Sequence, residues 1–485
     1  MKKIFFTILI SICLSSYMNF SYGQSPKLIF GSENELLSNK DNNFNPISQV
    51  NNNYIATYLK DGKIPTLLEI DGNCNRIKEK EFIEFEGYLV QLALLNDQHI
   101  DILLKKTDPL LNNAKRNGVL IHCRFELSTF QLIQKDTIYD TFIDNWYGYD
   151  IKTHISSNNE YVAVISTLGT VGLKVNTTVA LFNRKMEKLW EKEFDRNILF
   201  GNIDFEHLYI YNYNDYLVTD DGKVILARVT SYSASQLKFV SDAAPLNPIG
   251  PFFGIHVFSK EDSKDYDFGR LWNDTKGASN LSLCETEDQR ILIMGTVAPD
   301  IKGMDSPLWS SGFFSTIFNP QTNKIENTDR YFSETLFKTG EIGTARCFHL
   351  NQEYLLSYSF NLLINNIMQK GQYLFVLDKE GTITSNCEFY RYPIKSFLQE
   401  FKYNNKISFL ITSTKKQLQL LSIYPQNIKS QNDEITTLLD FSSKNNVNTI
   451  SKFPDYLYKY LEISDNKTAL FFKTGKNYCI AILEL

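Results

Sequence analysis

Five aspartates stand where hydrolytic chemistry could be built: Asp140, Asp144, Asp150, Asp300 and Asp305. Glycoside hydrolysis needs one carboxyl group to protonate the leaving oxygen and a second to act as base or nucleophile. Aromatic residues crowd the same stretches. Trp146, Tyr147 and Tyr149 follow Asp144, Phe252 and Phe253 end a long polar stretch, Trp272 lies further on, and Trp309 follows Asp305. Flat aromatic faces stack on sugars and anchor protein loops at low entropic cost. The ligand-binding candidates are therefore Trp146, Tyr147, Tyr149, Phe252, Phe253, Trp272, Trp309, Asp144, Asp300 and Asp305. Each also has a plainer reading, an aromatic folded under its own loop or an aspartate shaping a turn. No spacing in the sequence sets the separation that a catalytic carboxyl pair requires, so no catalytic residue is assigned.

Other site chemistries find less material. His99, His154, His256 and His349 stand singly in strand-like runs, without an H-E-x-x-H or H-x-H pair, and read as structural histidines. Cys74, Cys123, Cys284, Cys347, Cys387 and Cys479 are widely spaced, with no C-x-x-C, so they are expected to be buried free thiols and to hold no metal. There is no P-loop, no G-x-G-x-x-G after a strand, no G-x-S-x-G and no EF-hand calcium loop. No cofactor is expected.

The elements that must position these residues announce themselves by repetition. A short Asn/Asp-rich turn followed by a β-like run recurs eight times, at Asn51, Asn96, Asn158, Asp220, Glu287, Asn351, Asn404 and Asp465, about 59 residues apart on average. Asn, Asp and Gly tolerate the left-handed backbone of tight hairpins, and the following runs are rich in β-branched and aromatic residues. Each turn divides the first two strands, A and B, of a four-strand unit. The third unit shows all four: A from Tyr149, B from Tyr161, C from Val175 and D from Glu187. The last unit supplies A from Tyr456, B from Lys467 and C from Asn477, and then the chain stops. PKLIF, from Pro26, precedes the first A strand and is left without a unit. Given to the last unit as its outer strand, it closes a ring and removes the sheet edges of an open array. The expected fold is all-β: an eight-bladed β-propeller of four-stranded antiparallel blades. A seven-bladed ring is the alternative, because unit two carries a long insertion and unit four is irregular.

In unit three, VALFNRKMEKLWEKEF (residues 179–194) resembles the repeat of the quinoprotein-like and WD-like β-propeller superfamily, in which a strand ends in a polar turn and the next carries a Leu-Trp pair. The likeness covers this unit well and units five and six loosely. The remaining units lack the repeated Gly-x-x-x-Trp signature of quinoproteins, so no cofactor residue is carried over. Members include enzymes, periplasmic scaffolds and sensors, so the resemblance implies architecture alone. Trp190 is read as packing between blades.

In such a ring the A–B and C–D turns share one face, and the B–C and D–A connections share the other. The second kind includes the long stretches 105–118, 139–150, 231–254 and 298–312, which hold most of the candidates above. Long loops on a rigid scaffold are where function concentrates.

Residues 1–23 read as a secretory signal peptide: Lys2 and Lys3, an apolar stretch over 4–14, then Ser21 and Gly23 before a cut ahead of Gln24. Ile12 before Cys13 departs from the lipoprotein pattern, which wants a small residue there. With the resemblance, the leader implies a secreted bacterial member of the superfamily. Residues 24–485 then form one propeller domain, exported to the periplasm or beyond.

The chain has 485 residues, 43% hydrophobic and 22% charged, enough for a large core. Its formal charge is -5, with both signs interspersed, so it carries no electrostatic footprint for nucleic acid. No later apolar run is long enough for an integral membrane segment. A monomer is expected, a non-enzymatic binding or scaffold protein that engages a protein or glycan of the cell envelope through its long-loop face. The alternative is a carbohydrate-active enzyme with loop carboxylates at the channel mouth.

Overall fold

In a computed structural model of the chain, the eight repeats are eight four-stranded antiparallel sheets. The structure describes residues 26–38, 40–107, 116–143, 149–170, 174–197, 213–230, 252–269, 275–299, 312–332, 341–350, 353–364, 367–389, 394–403, 406–413, 417–423, 434–440, 456–464, 467–474 and 477–484. Blades 1 to 7 occupy residues 42–81, 88–143, 149–197, 213–269, 275–332, 341–389 and 394–440, each in strand order A-B-C-D. Blade 8 takes A, B and C from Tyr456–Ser464, Lys467–Thr474 and Asn477–Glu484, and its outer strand from Lys27–Phe30. That N-terminal strand runs antiparallel to strand C, with Lys27 opposite Glu484 and Phe30 opposite Ala481. The ring closes as the repeat pattern requires. Units two and four each form a complete blade, so the seven-bladed alternative is excluded.

Packing explains the strand compositions. Each blade is covered on both faces by its neighbours, so its middle strands are buried on both sides. Strand B of blade 1, Asn53–Lys60, is buried over its six central residues, and strand C of blade 5, Gly312–Asn319, over its first seven. Strand D of blade 5, Lys324–Phe332, lies on the rim and alternates with solvent. Successive residues of a strand serve opposite interfaces. In strand B of blade 2, His99–Thr107, Ile100, Ile102 and Leu104 face blade 1, whereas Leu103 faces blade 3.

Eight buried clusters result among the described residues, one for each of the eight blade interfaces. The closing one joins Phe44, Tyr54 and Tyr58 of blade 1 to Phe471, Tyr478 and Ile480 of blade 8. Trp190 is buried between blades 3 and 4 against Val218, Leu226 and Phe258, the packing role read for it.

The turns follow side-chain chemistry as well as backbone propensity. Asn52, Asp97 and Asn159 have left-handed backbones at the expected A–B positions. In blades 4 and 5 the left-handed residue falls one place later, at Gly222 and Gln289. Blades 3, 4 and 5 share a turn entered through a hydroxyl residue, with the left-handed residue three places after it in each. The Tyr161 and Lys223 amides donate to Ser156 Oγ and Thr219 Oγ1 at 3.0 and 2.9 Å, while Thr286 Oγ1 donates to the Arg290 carbonyl at 2.9 Å. In C–D turns an Asx side chain does the same work: Asp71, Asn183 and Asp378 each accept two backbone N–H groups from the two to four residues that follow. Among the described residues no helix is long and apolar enough to cross a membrane.

Candidate binding face

The two ends of the ring differ in how their residues are used. At the A–B and C–D end, turns are short and joined from blade to blade. Asp220 in the blade 4 turn accepts hydrogen bonds from Ser157 Oγ (2.8 Å) and the Asn158 amide (3.0 Å) of blade 3, and its own amide donates to Glu285 of blade 5 at 2.8 Å. Arg184 in the C–D turn of blade 3 donates to Asn96 of blade 2 at 2.7 Å. Arg290 of blade 5 reaches Glu326 at 3.1 Å and Glu380 of blade 6 at 2.9 Å. This end spends its polar groups on holding the ring.

Its most developed group is a buried cluster in blade 2. Asp101 on strand B lies opposite Arg124 on strand C, and His122 precedes Arg124 by two residues on the same face of strand C. Asp101 Oδ1 accepts from His122 Nε2 at 2.7 Å and Arg124 Nε at 2.9 Å, and Oδ2 accepts from Asn96 at 2.7 Å. Arg124 also donates to the Lys185 carbonyl in blade 3 at 2.9 Å. Burial alone would raise the Asp101 pKa. The donors from His122, Arg124 and Asn96 outweigh it and hold the carboxyl below its ordinary value. Both Asp101 and His122 are almost fully buried, so the cluster fastens blade 3 to blade 2 rather than meeting a ligand. The sequence reading missed it because His122 sits inside an apolar run. The signal was available in the strand register, which sets acid, base and imidazole on one face.

The inner strands of blades 3 and 4 carry a second group. His154 stacks on Tyr216 with ring centroids 4.7 Å apart, and Lys152 Nζ lies 4.6 Å from the centre of the same ring. Asp215 accepts the Leu283 amide of blade 5 at 2.7 Å. Burial raises the Asp215 pKa against the Leu283 and Tyr216 amides and the Lys152 charge, which pull it down. Burial, helped by Lys152, pushes His154 down to about 4, so it is neutral at pH 7. The sign for stability follows: between pH 6.5 and about 4 the unfolded chain takes up a proton that the folded one refuses. Stability therefore falls as the pH drops through this window. His154→Gln should flatten that slope in unfolding curves measured at pH 4.5, 5.5 and 7.

The opposite end carries the B–C and D–A connections. In blade 4, strand B ends at Thr230 and strand C begins at Phe252, while in blade 1 strand A ends at Val50 and strand B begins at Asn53. Of the candidates, Trp146, Tyr147, Asp144, Trp272, Asp300, Asp305 and Trp309 lie outside the described residues. Tyr149 opens strand A of blade 3 opposite Leu168, and Phe252 opens strand C of blade 4 opposite Thr230, both at this end. Phe253 is different. It is 1% exposed and packs against Phe268 and Phe314, at centroid distances of 5.3 and 5.4 Å, so it belongs to the core between blades 4 and 5. Alternation explains this: neighbours in a strand point to opposite faces, and Phe253 takes the inward one. Asp140 and Asp150 pair within strands, opposite Val119 and Thr167. Among the described residues, no three His, Cys, Asp or Glu side chains converge as a metal site would need.

No family model matches the chain, and no curated protein does. Solved structures are similar at low identity. The WD40 domain of SCAP from fission yeast is 8% identical with a TM-score of 0.42, over 94% of this chain and 98% of that one. Prolyl oligopeptidase B from Galerina marginata is 8% identical with a TM-score of 0.40, over 93% of this chain and 55% of that one. Apocarotenoid oxygenase from Synechocystis is 10% identical with a TM-score of 0.34, over 85% of this chain and 92% of that one.

Proposed function

We propose that the chain is an exported, non-enzymatic binding or scaffold propeller that engages a protein or glycan of the cell envelope through its B–C and D–A face. The observation that carries this reading is the asymmetry between the ends. The A–B and C–D turns are two to five residues long except 424–433 in blade 7, and the polar groups described above bind one blade to the next. The longest connections of the ring, 198–212, 231–251, 300–311 and 441–455, all lie at the opposite end, beside B–C turns of two or three residues in five blades, and the stretches at that end contain Trp146, Trp272 and Trp309. Rigid scaffold below and long aromatic-bearing loops above is the arrangement in which binding residues accumulate. Export rests on the leader-like residues 1–23 and is tested by whether the released protein begins at Gln24.

The test of binding is capture of purified envelope polysaccharides and envelope proteins by the mature chain, beside a Trp146→Ala/Trp309→Ala variant. Truncating an aromatic anchor costs about 2 kcal/mol or more, so the variant should bind at least about tenfold more weakly while melting like the wild type. Equal capture by both folded proteins would remove these residues from the binding face. Release of reducing sugar from a captured polysaccharide would favour the carbohydrate-active alternative.

A further inference from the structure

We propose that Cys284 and Cys347 form a disulfide that joins the innermost strands of blades 5 and 6 when the protein meets a disulfide-bearing oxidant. Cys284 is the penultimate residue of strand A in blade 5, Thr275–Glu285, and Cys347 lies in strand A of blade 6, Glu341–Leu350. These two strands touch directly across the interface. Both cysteines pack against the same buried cluster, formed by Leu292, Phe313, Leu356 and their neighbours. Cys284 Sγ donates to the Glu285 carbonyl at 3.5 Å, and the Cys347 thiol senses Cys284 directly. A little further toward the turns, His349 Nε2 lies 3.3 Å from Glu287 Oε1, a second contact between the same blades.

The other four cysteines, Cys74, Cys123, Cys387 and Cys479, are buried, including Cys74 and Cys479, which come near one another between blades 1 and 8. Each belongs to a different interface cluster. Cys284 and Cys347 share one interface, and both residues are partly exposed where the other four are buried; the Cys347 thiol itself lies inside, so an oxidant meets Cys284 first. Their strands are already adjacent, so the link asks for a local adjustment of side chains.

The chemistry balances as two thiol–disulfide exchanges. The Cys284 sulfur loses its proton and attacks one sulfur of oxidised glutathione, forming a mixed disulfide and releasing one glutathione thiol. Cys347 then loses its proton and attacks Cys284 Sγ, forming the inter-blade disulfide and releasing the second glutathione. The two cysteines are oxidised by two electrons, and one oxidised glutathione is reduced. The contact with Cys284, and burial after it, raise the Cys347 pKa, so Cys347 is a poor first nucleophile. The product closes a long loop of chain across the ring and restricts the unfolded state.

The experiment incubates the folded mature chain with oxidised glutathione, alkylates the remaining thiols and maps the unreduced peptides by mass spectrometry. The expected result is one linked pair, Cys284 with Cys347, with four of the six cysteines still alkylated after unfolding, a raised melting midpoint, and reversal by dithiothreitol. Cys284→Ser should abolish the link and leave the other five thiols alkylatable. Glutathione held on Cys284 without a link to Cys347, or a link that involves any other cysteine in the wild-type chain, would overturn the proposal. The wild-type result stands by itself if the variant folds poorly.

Discussion

Replacing Asp101 by alanine is expected to cost about 3–5 kcal/mol of stability, the loss typical of breaking a buried, hydrogen-bonded ion pair by removing one partner. Asp101 is 3% exposed and holds His122, Arg124 and Asn96 at once, so its removal strands three donors in the interface between blades 2 and 3. Asp101→Asn keeps an acceptor without the charge and should lose less. Replacing Asp101, His122 and Arg124 together by apolar residues of similar volume should recover much of the loss, because the penalty lies in the unpaired groups. The carboxyl also sets an acid dependence. Its folded pKa is depressed, so its contribution is fully present above the unfolded value of about 3.9 and is lost as the pH falls through the folded one. Denaturant unfolding of the three variants at pH 7, and of wild type against Asp101→Asn below pH 4, checks both parts.

Deleting residues 24–31 should cost on the order of 3–6 kcal/mol and make the protein self-associate. Part of the energy comes from Leu28 and Phe30, half-buried against the cluster between blades 7 and 8 and each contributing at most about 1.5–3 kcal/mol, and the rest from the lost strand pairing with Asn477–Glu484. Phe30 lies 5.9 Å from Phe472, ring to ring. Without this strand, Asn477–Glu484 becomes an open edge carrying Cys479, Ile480, Ala481 and Leu483, a template for pairing between molecules. Gly31→Ala should act in the same direction more weakly. The Gly31 amide donates to the Ile480 carbonyl at 2.8 Å, and a β-carbon there would stand 2.2 Å from the Gly72 carbonyl oxygen. Calorimetry at a fixed scan rate, with light scattering over a concentration series, should show a lower melting midpoint and growth in mass for the deletion. A deletion that melts as the wild type and stays monomeric would refute strand exchange at the closure.

The architecture was legible because turn chemistry repeats even where strand sequences do not. Asn52, Asp97 and Asn159 occupy left-handed positions that few other residues accept, and the eight Asn/Asp-rich stretches of the sequence match the eight blades. The orphan PKLIF and the missing last strand solve each other. Much of the site was less legible, because which face a residue serves depends on register. Phe252 and Phe253 read alike in sequence, yet one residue of offset sends Phe253 into the core. His122 and Asp101 form a buried pair 21 positions apart, a contact made by the hairpin and by no motif. The pairing of Cys284 with Cys347 crosses two blades, and only the ring brings them together.

On the proposed division of labour, the B–C and D–A face binds and the A–B and C–D face holds the ring. Hydrogen exchange on the mature protein, alone and with the envelope component it captures, tests this directly. Slowed exchange is expected in peptides covering 108–115, 144–148, 231–251, 270–274 and 300–311, with the turns at 156–160, 219–223 and 286–290 unchanged. Protection at those turns, with the long connections unchanged, would contradict it.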